Sequence, residues 1–243
     1  MAMMKLHNPH AYTVHRELDV IRRLLPLDRA RVLELGCGNA EMTQAIAEHF
    51  PVAEIIATEV DQIQHARNLT RQDLPKVSFR AGGAEAIPEP DASFDVVMMF
   101  KSLHHVPVPL LDQALREIRR ILKPGGLAYI SEPVFAGEFN EILRLFHDEE
   151  QVRAAAFAAM QRAVDAGLLA LVEEVFFEIP VTYPDFETFE ERVIHVTHTR
   201  HSLDEALYLA VRQRFMAGMT DEGATFSKLM RVDLLRRPVE FPT

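Results

Sequence analysis

The period of apolar positions along the first half of the chain switches back and forth between that of a buried strand and that of an amphipathic helix. Residues 11–25 place Val14, Leu18, Ile21, Leu24 and Leu25 on one helical side, and Pro26 ends the run. "RVLEL" reads as a buried strand, "AEMTQAIAEHF" as a helix, "EIIATEV" as a strand and "DQIQHARNLTRQ" as a helix. "KVSFRAG" and "FDVVMMF" are two further strands. A helix over "VPLLDQALREIRRIL" then carries Leu110, Leu111, Ala114, Ile118, Ile121 and Leu122 on one face, and "KPGG" stops it before the strand "LAYISEPVF". Strands separated by helices predict a parallel, doubly wound α/β sheet with right-handed crossovers. Such a sheet binds ligands beyond the carboxyl ends of its strands.

The second half is more helical. Residues 137–166 predict helices bearing Phe139, Ile142, Leu143, Phe146, Phe157 and Met160, and residues 185–218 a helical pair with Phe189, Leu207, Phe215 and Met216. "LVEEVFFEIPVTY" reads as a sixth strand and "ATFSKLMRVDLLRR" as a seventh. The helices are expected to form a lid, and one rich in Phe and Met suits an apolar or aromatic ligand as well as it suits plain core packing.

Composition narrows the partners. The 243 residues are 48% hydrophobic, enough for a packed core, and 26 basic against 36 acidic residues give a net charge of -10. That charge disfavours a phosphate backbone as partner; Arg116, Arg119, Arg120 and Lys123 read as a solvated helix face. One cysteine makes no internal disulfide and no multi-thiolate site for a metal or metalloid. "MAMMKLHNPHAY" has no apolar core of signal-peptide length and no stretch reaches membrane-span length, so the expected location is cytoplasmic.

The chemistry concentrates at "RVLELGCGNAEMTQ". Gly36, Cys37 and Gly38 end the first long strand with little side chain in the way, where a ligand can lie against the backbone. Glu59 closes the next strand, about twenty positions further on, where a carboxylate can accept both hydroxyls of a ribose. Position 41 is Glu where a dinucleotide fingerprint has its third glycine, and a carboxylate there repels a pyrophosphate. A nucleoside cofactor without phosphates fits better, S-adenosylmethionine first among them. Glu34, just ahead of the turn, adds an anion that suits the cofactor's amino group or sulfonium.

The segments "VLELGCGNA", "IIATEVD", "GGAEAIPEPDASFDVVMMFKSLHHV" and "ALREIRRILKPGGLAYISEP", in that order, resemble the class I S-adenosylmethionine-dependent methyltransferases. They are most similar to the small-molecule branch that includes the ubiquinone and menaquinone biosynthesis enzymes. The resemblance covers about residues 30–135 and implies a Rossmann-like, mostly parallel seven-stranded sheet whose last strand is antiparallel. It implies a single domain over 1–243: an N-terminal helical segment over 1–30, the cofactor core over 30–135, lid helices and sixth strand over 136–222, and last strand and tail over 223–243. It further implies that Gly36, Cys37 and Gly38 cradle the methionine part of S-adenosylmethionine, or of the product S-adenosylhomocysteine. By the same resemblance Glu59 holds the ribose, Gly83, Ala84 and Glu85 flank the adenine, and Phe100, Lys101 and Leu103 border the methyl end. Members of the family commonly carry Asp where this chain has Gly83, which leaves adenine recognition to the backbone of Ala84 and Glu85 or to the Glu85 side chain.

The function expected is methyl transfer to an oxygen or carbon of a small, apolar or aromatic acceptor. An RNA-modifying methyltransferase and a non-catalytic S-adenosylmethionine-binding protein are the alternatives; "FKSLHH" stands where amino-group methyltransferases of nucleic acids often carry Asn/Asp-Pro-Pro-aromatic. His104, with His105 second, is the candidate general base, since imidazole titrates in the useful range. Cys37 reads as a packing residue. His195, His198 and His201 span too much of a helix to share one ion, and Ser202 with Glu205 reads as a capping box, so no metal is expected.

Overall fold

The computed structural model of the protein describes residues 12–196 and 201–239. Its long strands are β2 (Arg31–Leu35), β3 (Glu54–Glu59), β4 (Val77–Ala81), β5 (Phe94–Phe100), β6 (Leu122–Pro133), β7 (Ala170–Tyr183) and β9 (Gly223–Arg236). Two-residue strands β1 (Thr13–Val14) and β8 (Met219–Thr220) bring the sheet to nine, two more than the sequence predicts. The order is β1-β7-β9-β6-β5-β2-β3-β4, with β8 paired to β9. From β6 to β4 every pairing is parallel, while β9 runs antiparallel between β6 and β7.

Helices cover both faces. On one, α1 (Glu17–Leu24) and α2 (Glu41–His49) pack Val20, Ile21 and Ile46 against Val32, Val96 and Tyr129. On the other, α4 (Leu111–Ile121) and α6 (Glu150–Asp165) pack Leu115, Ile118, Ala159 and Met160 against Leu33, Val97 and Ile130. This two-sided burial explains why the central strands read as continuous apolar runs. Helix α3 (Gln62–Leu69) is capped by Asp61, which accepts from the Ile63 and Gln64 amides.

Two local expectations are corrected, at the first helix and in the 185–218 pair, while the helices expected over 137–166 are present. The first helix begins at Glu17, because Thr13 and Val14 are extended and pair parallel with Phe177 and Glu178. The 137–166 helices separate into α5 (Glu138–Leu143) and α6. In the 185–218 pair, a single turn, α7 (Phe186–Phe189), runs into a π turn, and α8 (Glu205–Met216) is capped by Asp204 accepting from the Leu207 amide, not by Ser202. His198 lies outside the described residues. Most lid aromatics pack with one another: Phe189, Phe215 and Phe226 surround Tyr183 in a separate cluster that Phe186 joins through Phe189 and Phe215.

Candidate active site

The turn after β2 is bent by its hydrogen bonds. The Gly36 and Cys37 amides both donate to the Thr58 carbonyl, at 3.0 and 2.9 Å, folding the chain over the end of β3. Gly36 has φ +74°, and a Cβ there would lie 2.7 Å from the Ser102 Cβ, so this position requires glycine twice over. Ser102 in turn donates from Oγ to the Leu35 carbonyl at 2.7 Å. The end of β5 is thereby fastened to the glycine turn.

Two carboxylates meet at that turn. Glu59 accepts the Gly38 amide at Oε2 (2.7 Å) and the Val60 and Asp61 amides at Oε1 (2.7 and 2.8 Å). Glu34 is fully buried and accepts from the Thr43 hydroxyl at 2.7 Å. Burial pushes its pKa up to about 7; the Thr43 hydrogen bond opposes the rise and the Glu59 charge adds to it. The Cys37 thiol is pushed up strongly by burial and by Glu34 and Glu59, which removes it as a nucleophile. Asn68, which no motif in the sequence singles out, is buried and donates to the Gly38 carbonyl at 2.7 Å and to Cys37 Sγ at 3.5 Å.

At the end of β4 the expected adenine end has an unexpected arrangement. Gly83 lacks a side chain, and the Glu85 carboxylate lies over it, with Oε1 2.6 Å from where a Cβ would be. Ala84 is buried between them. The acid absent at position 83 is supplied from position 85.

Beyond β5 the residues fall into two groups. Phe100 and Leu103 are core side chains, Phe100 beside Tyr129 and Leu103 beneath α4, so only their backbone can border a ligand. Lys101 sits in the left-handed region at φ +55°, a conformation that costs a side-chain-bearing residue of order 1–3 kcal/mol, and it turns into a cavity of about 210 Å3. His104 and His105 line the same cavity, together with Phe139, Leu143, His147, Glu149, Lys228 and Leu229.

His104 is buried between two acids. Its Nδ1 pairs with Glu132 and its Nε2 lies 3.4 Å from Glu149 Oε1. Burial pulls its pKa down, but Glu132 and Glu149 outweigh that and hold it at about 9. Both ring nitrogens thus face carboxylates, which favour the protonated imidazolium over the free base. Glu149 also accepts from His147 Nε2 at 2.8 Å and from Arg153 at 2.5 Å. The ligand atoms of His104, His105 and Glu149 lie within 4.8 Å of one another, close enough to share an ion, yet Glu149 is already paired with Arg153 and faces His104. His195 is exposed near Glu190, while His201 packs against His147 and Phe146, so these two histidines have different surroundings.

The site fits the S-adenosylmethionine implied by the sequence. A Cβ at Gly38 would meet nothing within 4 Å, so this side of the turn is open, and the buried acids Glu34 and Glu59 flank it. Glu59 would hold the ribose and Glu34 would face the cationic methionine end. When bound, the cofactor supplies a methyl group already activated by its sulfonium.

The chain is similar to known proteins. Residues 32–126 match the family described as a methyltransferase domain. YcgJ of Bacillus subtilis, named an uncharacterized methyltransferase, is 26% identical over 218 residues, 85% of this chain and 83% of that protein. Its crystal structure superposes with a TM-score of 0.64 at 19% identity, covering 91% of this chain and 97% of that one. The 27-O-demethylrifamycin SV methyltransferase of Amycolatopsis mediterranei is 37% identical over 116 residues, 46% of this chain and 42% of that protein, so the chain spans less than half of that relative. Among the described residues no helix is long and apolar enough to cross a membrane. The sheet order, the glycine turn and the methyltransferase-domain match over residues 32–126 together support a class I S-adenosylmethionine-dependent methyltransferase.

Proposed function

We propose that this protein methylates an oxygen or carbon of a small molecule held in the cavity under α5, with Gly36, Cys37, Gly38, Glu59 and the Gly83–Glu85 turn holding S-adenosylmethionine. The observation that carries the reading is the fastening of Ser102 to the glycine turn. Lys101 on one side of Ser102 and His104 on the other line the cavity, so the cavity adjoins the cofactor shelf. Displacement at an activated methyl asks mainly for alignment and exclusion of water, and a cavity beside the shelf provides both. The name of the rifamycin relative, an O-methyltransferase of a small molecule, is consistent with this reading.

His104 enters as a positioning residue. Its imidazolium joins Glu132 at the end of β6 to Glu149 at the start of α6, fixing the turn that carries Lys101 against the lid. The test is incubation with S-adenosylmethionine labelled in the methyl group and a panel of hydroxylated one-ring compounds, read by label transfer. Transfer to such a compound supports the reading. Cofactor binding with no transfer to any small molecule, or transfer to RNA alone, overturns it.

A further inference from the structure

The protein as a whole is acidic, but its cavity is not. Lys101 at the end of β5 and Lys228 on β9 both line it, with Arg192 from the lid. Neither lysine has a hydrogen bond or ion pair to a carboxylate among the described residues; the nearest counter-charge acting on Lys101 is Glu17, which is itself bonded to the Tyr129 hydroxyl at 2.6 Å. Lys228 Nζ lies 4.1 Å from the centroid of the Phe139 ring, which gives it a cation–π contact but no anion. Among the described residues, the one carboxylate lining the cavity, Glu149, is occupied by Arg153, His147 and His104. Two ammonium groups thus share a partly enclosed space, Lys101 exposed and acted on through space by Glu17, and Lys228 half-buried with no carboxylate bonded to it among the described residues. Burial, and then repulsion from Lys101, lower the Lys228 pKa to about 8, the mark of a cation awaiting a counter-ion.

A half-buried ammonium such as Lys228 is stabilised by an anion, and where the protein bonds no carboxylate to it a ligand can supply one. The remaining walls are apolar, from Val134, Phe139, Leu143 and Leu229. The volume of about 210 Å3 exceeds the ~150 Å3 in which one benzene ring is held. We propose that the methyl acceptor is an organic acid of about one ring, its carboxylate held by Lys101 and Lys228 and its apolar body packed under Phe139. This deepens the methyltransferase reading and rests on it.

The test uses the full chain saturated with S-adenosylhomocysteine and titrated with benzoate, the neutral isostere benzamide, and phenyl phosphate, followed by ligand-observed NMR. Benzoate is expected to bind at least tenfold more tightly than benzamide. The preference should shrink in Lys101→Met and in Lys228→Gln, and with added salt, as for any charge-held ligand. S-Adenosylhomocysteine affinity, measured by calorimetry, reports separately on the cofactor shelf, and thermal unfolding shows that each variant is folded. Equal binding of benzoate and benzamide, a preference that survives both substitutions, no saturable binding of benzoate, or binding of phenyl phosphate alone would each overturn the carboxylate assignment. Failure of S-adenosylhomocysteine to bind would instead remove the methyltransferase reading beneath it.

Discussion

Glu85 places its carboxylate where a side chain at Gly83 would be, with Oε1 2.6 Å from the position of a Cβ on that glycine. The two positions compete for one space, so their substitutions should not be additive. Glu85→Ala should weaken S-adenosylmethionine binding about tenfold, as expected for a hydrogen bond to a charged group worth about 1.5 kcal/mol. Gly83→Asp alone should weaken it too, by forcing two carboxylates together, while Gly83→Asp with Glu85→Ala should recover most of the loss. Calorimetry on the four proteins decides it: additive losses would mean that Glu85 does not stand in for the acid missing at 83.

Gly36 and Gly38 share a left-handed backbone but differ in surroundings, which separates stability from binding. Gly36→Ala drives a Cβ into the Ser102 side chain, 2.7 Å away, and should lower stability by roughly 2–4 kcal/mol from strain and overpacking together. Gly38→Ala meets open space, so it should cost only about 1 kcal/mol of strain yet weaken S-adenosylmethionine binding. Thermal unfolding paired with calorimetry checks both. A Gly38→Ala protein that binds as well as the parent would remove that glycine from the cofactor shelf.

Much of this was legible in the chain because it depends on local period. The two-sided burial of β2, β3 and β5 wrote itself as "RVLEL", "EIIATEV" and "FDVVMMF", and the glycine turn with Glu59 followed from spacing. What escaped depends on contacts remote in sequence. Glu132 and Glu149 look like ordinary strand-end and helix-start acids until the fold brings both to His104, where their charges favour its protonated form. Lys228 is one alternating position of a long strand, and only the sheet order sets it near Lys101. The start of α1 was misread because Val14 satisfies a helical stripe and an edge strand equally, and pairing with β7 decides between them.

Glu59 spends its carboxylate on the Gly38, Val60 and Asp61 amides, which aims it across the turn. Glu59→Ala should raise the dissociation constant for S-adenosylmethionine at least thirtyfold, about 2 kcal/mol, from the loss of charge-assisted bonds to the ribose. Some loss of stability accompanies it, because the three amides lose their acceptor. An unchanged dissociation constant in a folded protein would sink the ribose assignment.

Glu34 makes cofactor binding depend on pH. Its pKa in the folded protein is raised from 4.5 to about 7, so it favours the protonated form; its contribution to stability is full below about 4.5 and is lost as pH rises through 7. A cationic ligand beside it favours the ionised form instead. S-Adenosylmethionine affinity should therefore rise up to about tenfold between pH 6 and 8, with proton release on binding, and Glu34→Gln should flatten the dependence. S-Adenosylhomocysteine, lacking the sulfonium charge, should show a weaker rise. Calorimetry in buffers of different ionisation enthalpy counts the protons, and a flat profile for the parent protein would place Glu34 out of reach of the ligand.

His104 gives stability the same sign of pH dependence in a different window. Its folded pKa of about 9 lies above the ordinary 6.5, so the stabilisation is complete below about 6.5 and is lost as pH rises through 9. The facing groups are Glu132 and Glu149, with His105, His147 and Arg153 around them. The shift corresponds to roughly 3 kcal/mol, since each pKa unit is about 1.4 kcal/mol. His104→Gln leaves Glu132 buried without its cation and should cost about 3–5 kcal/mol at pH 7. For a chain of this size, that lowers the melting temperature by roughly 10 °C. The difference between parent and variant should then narrow as pH is raised from 7 to 10, because the parent loses what the variant never had. A difference that stays constant across that range would mean His104 is neutral in the folded protein, and would return it to the role of proton acceptor.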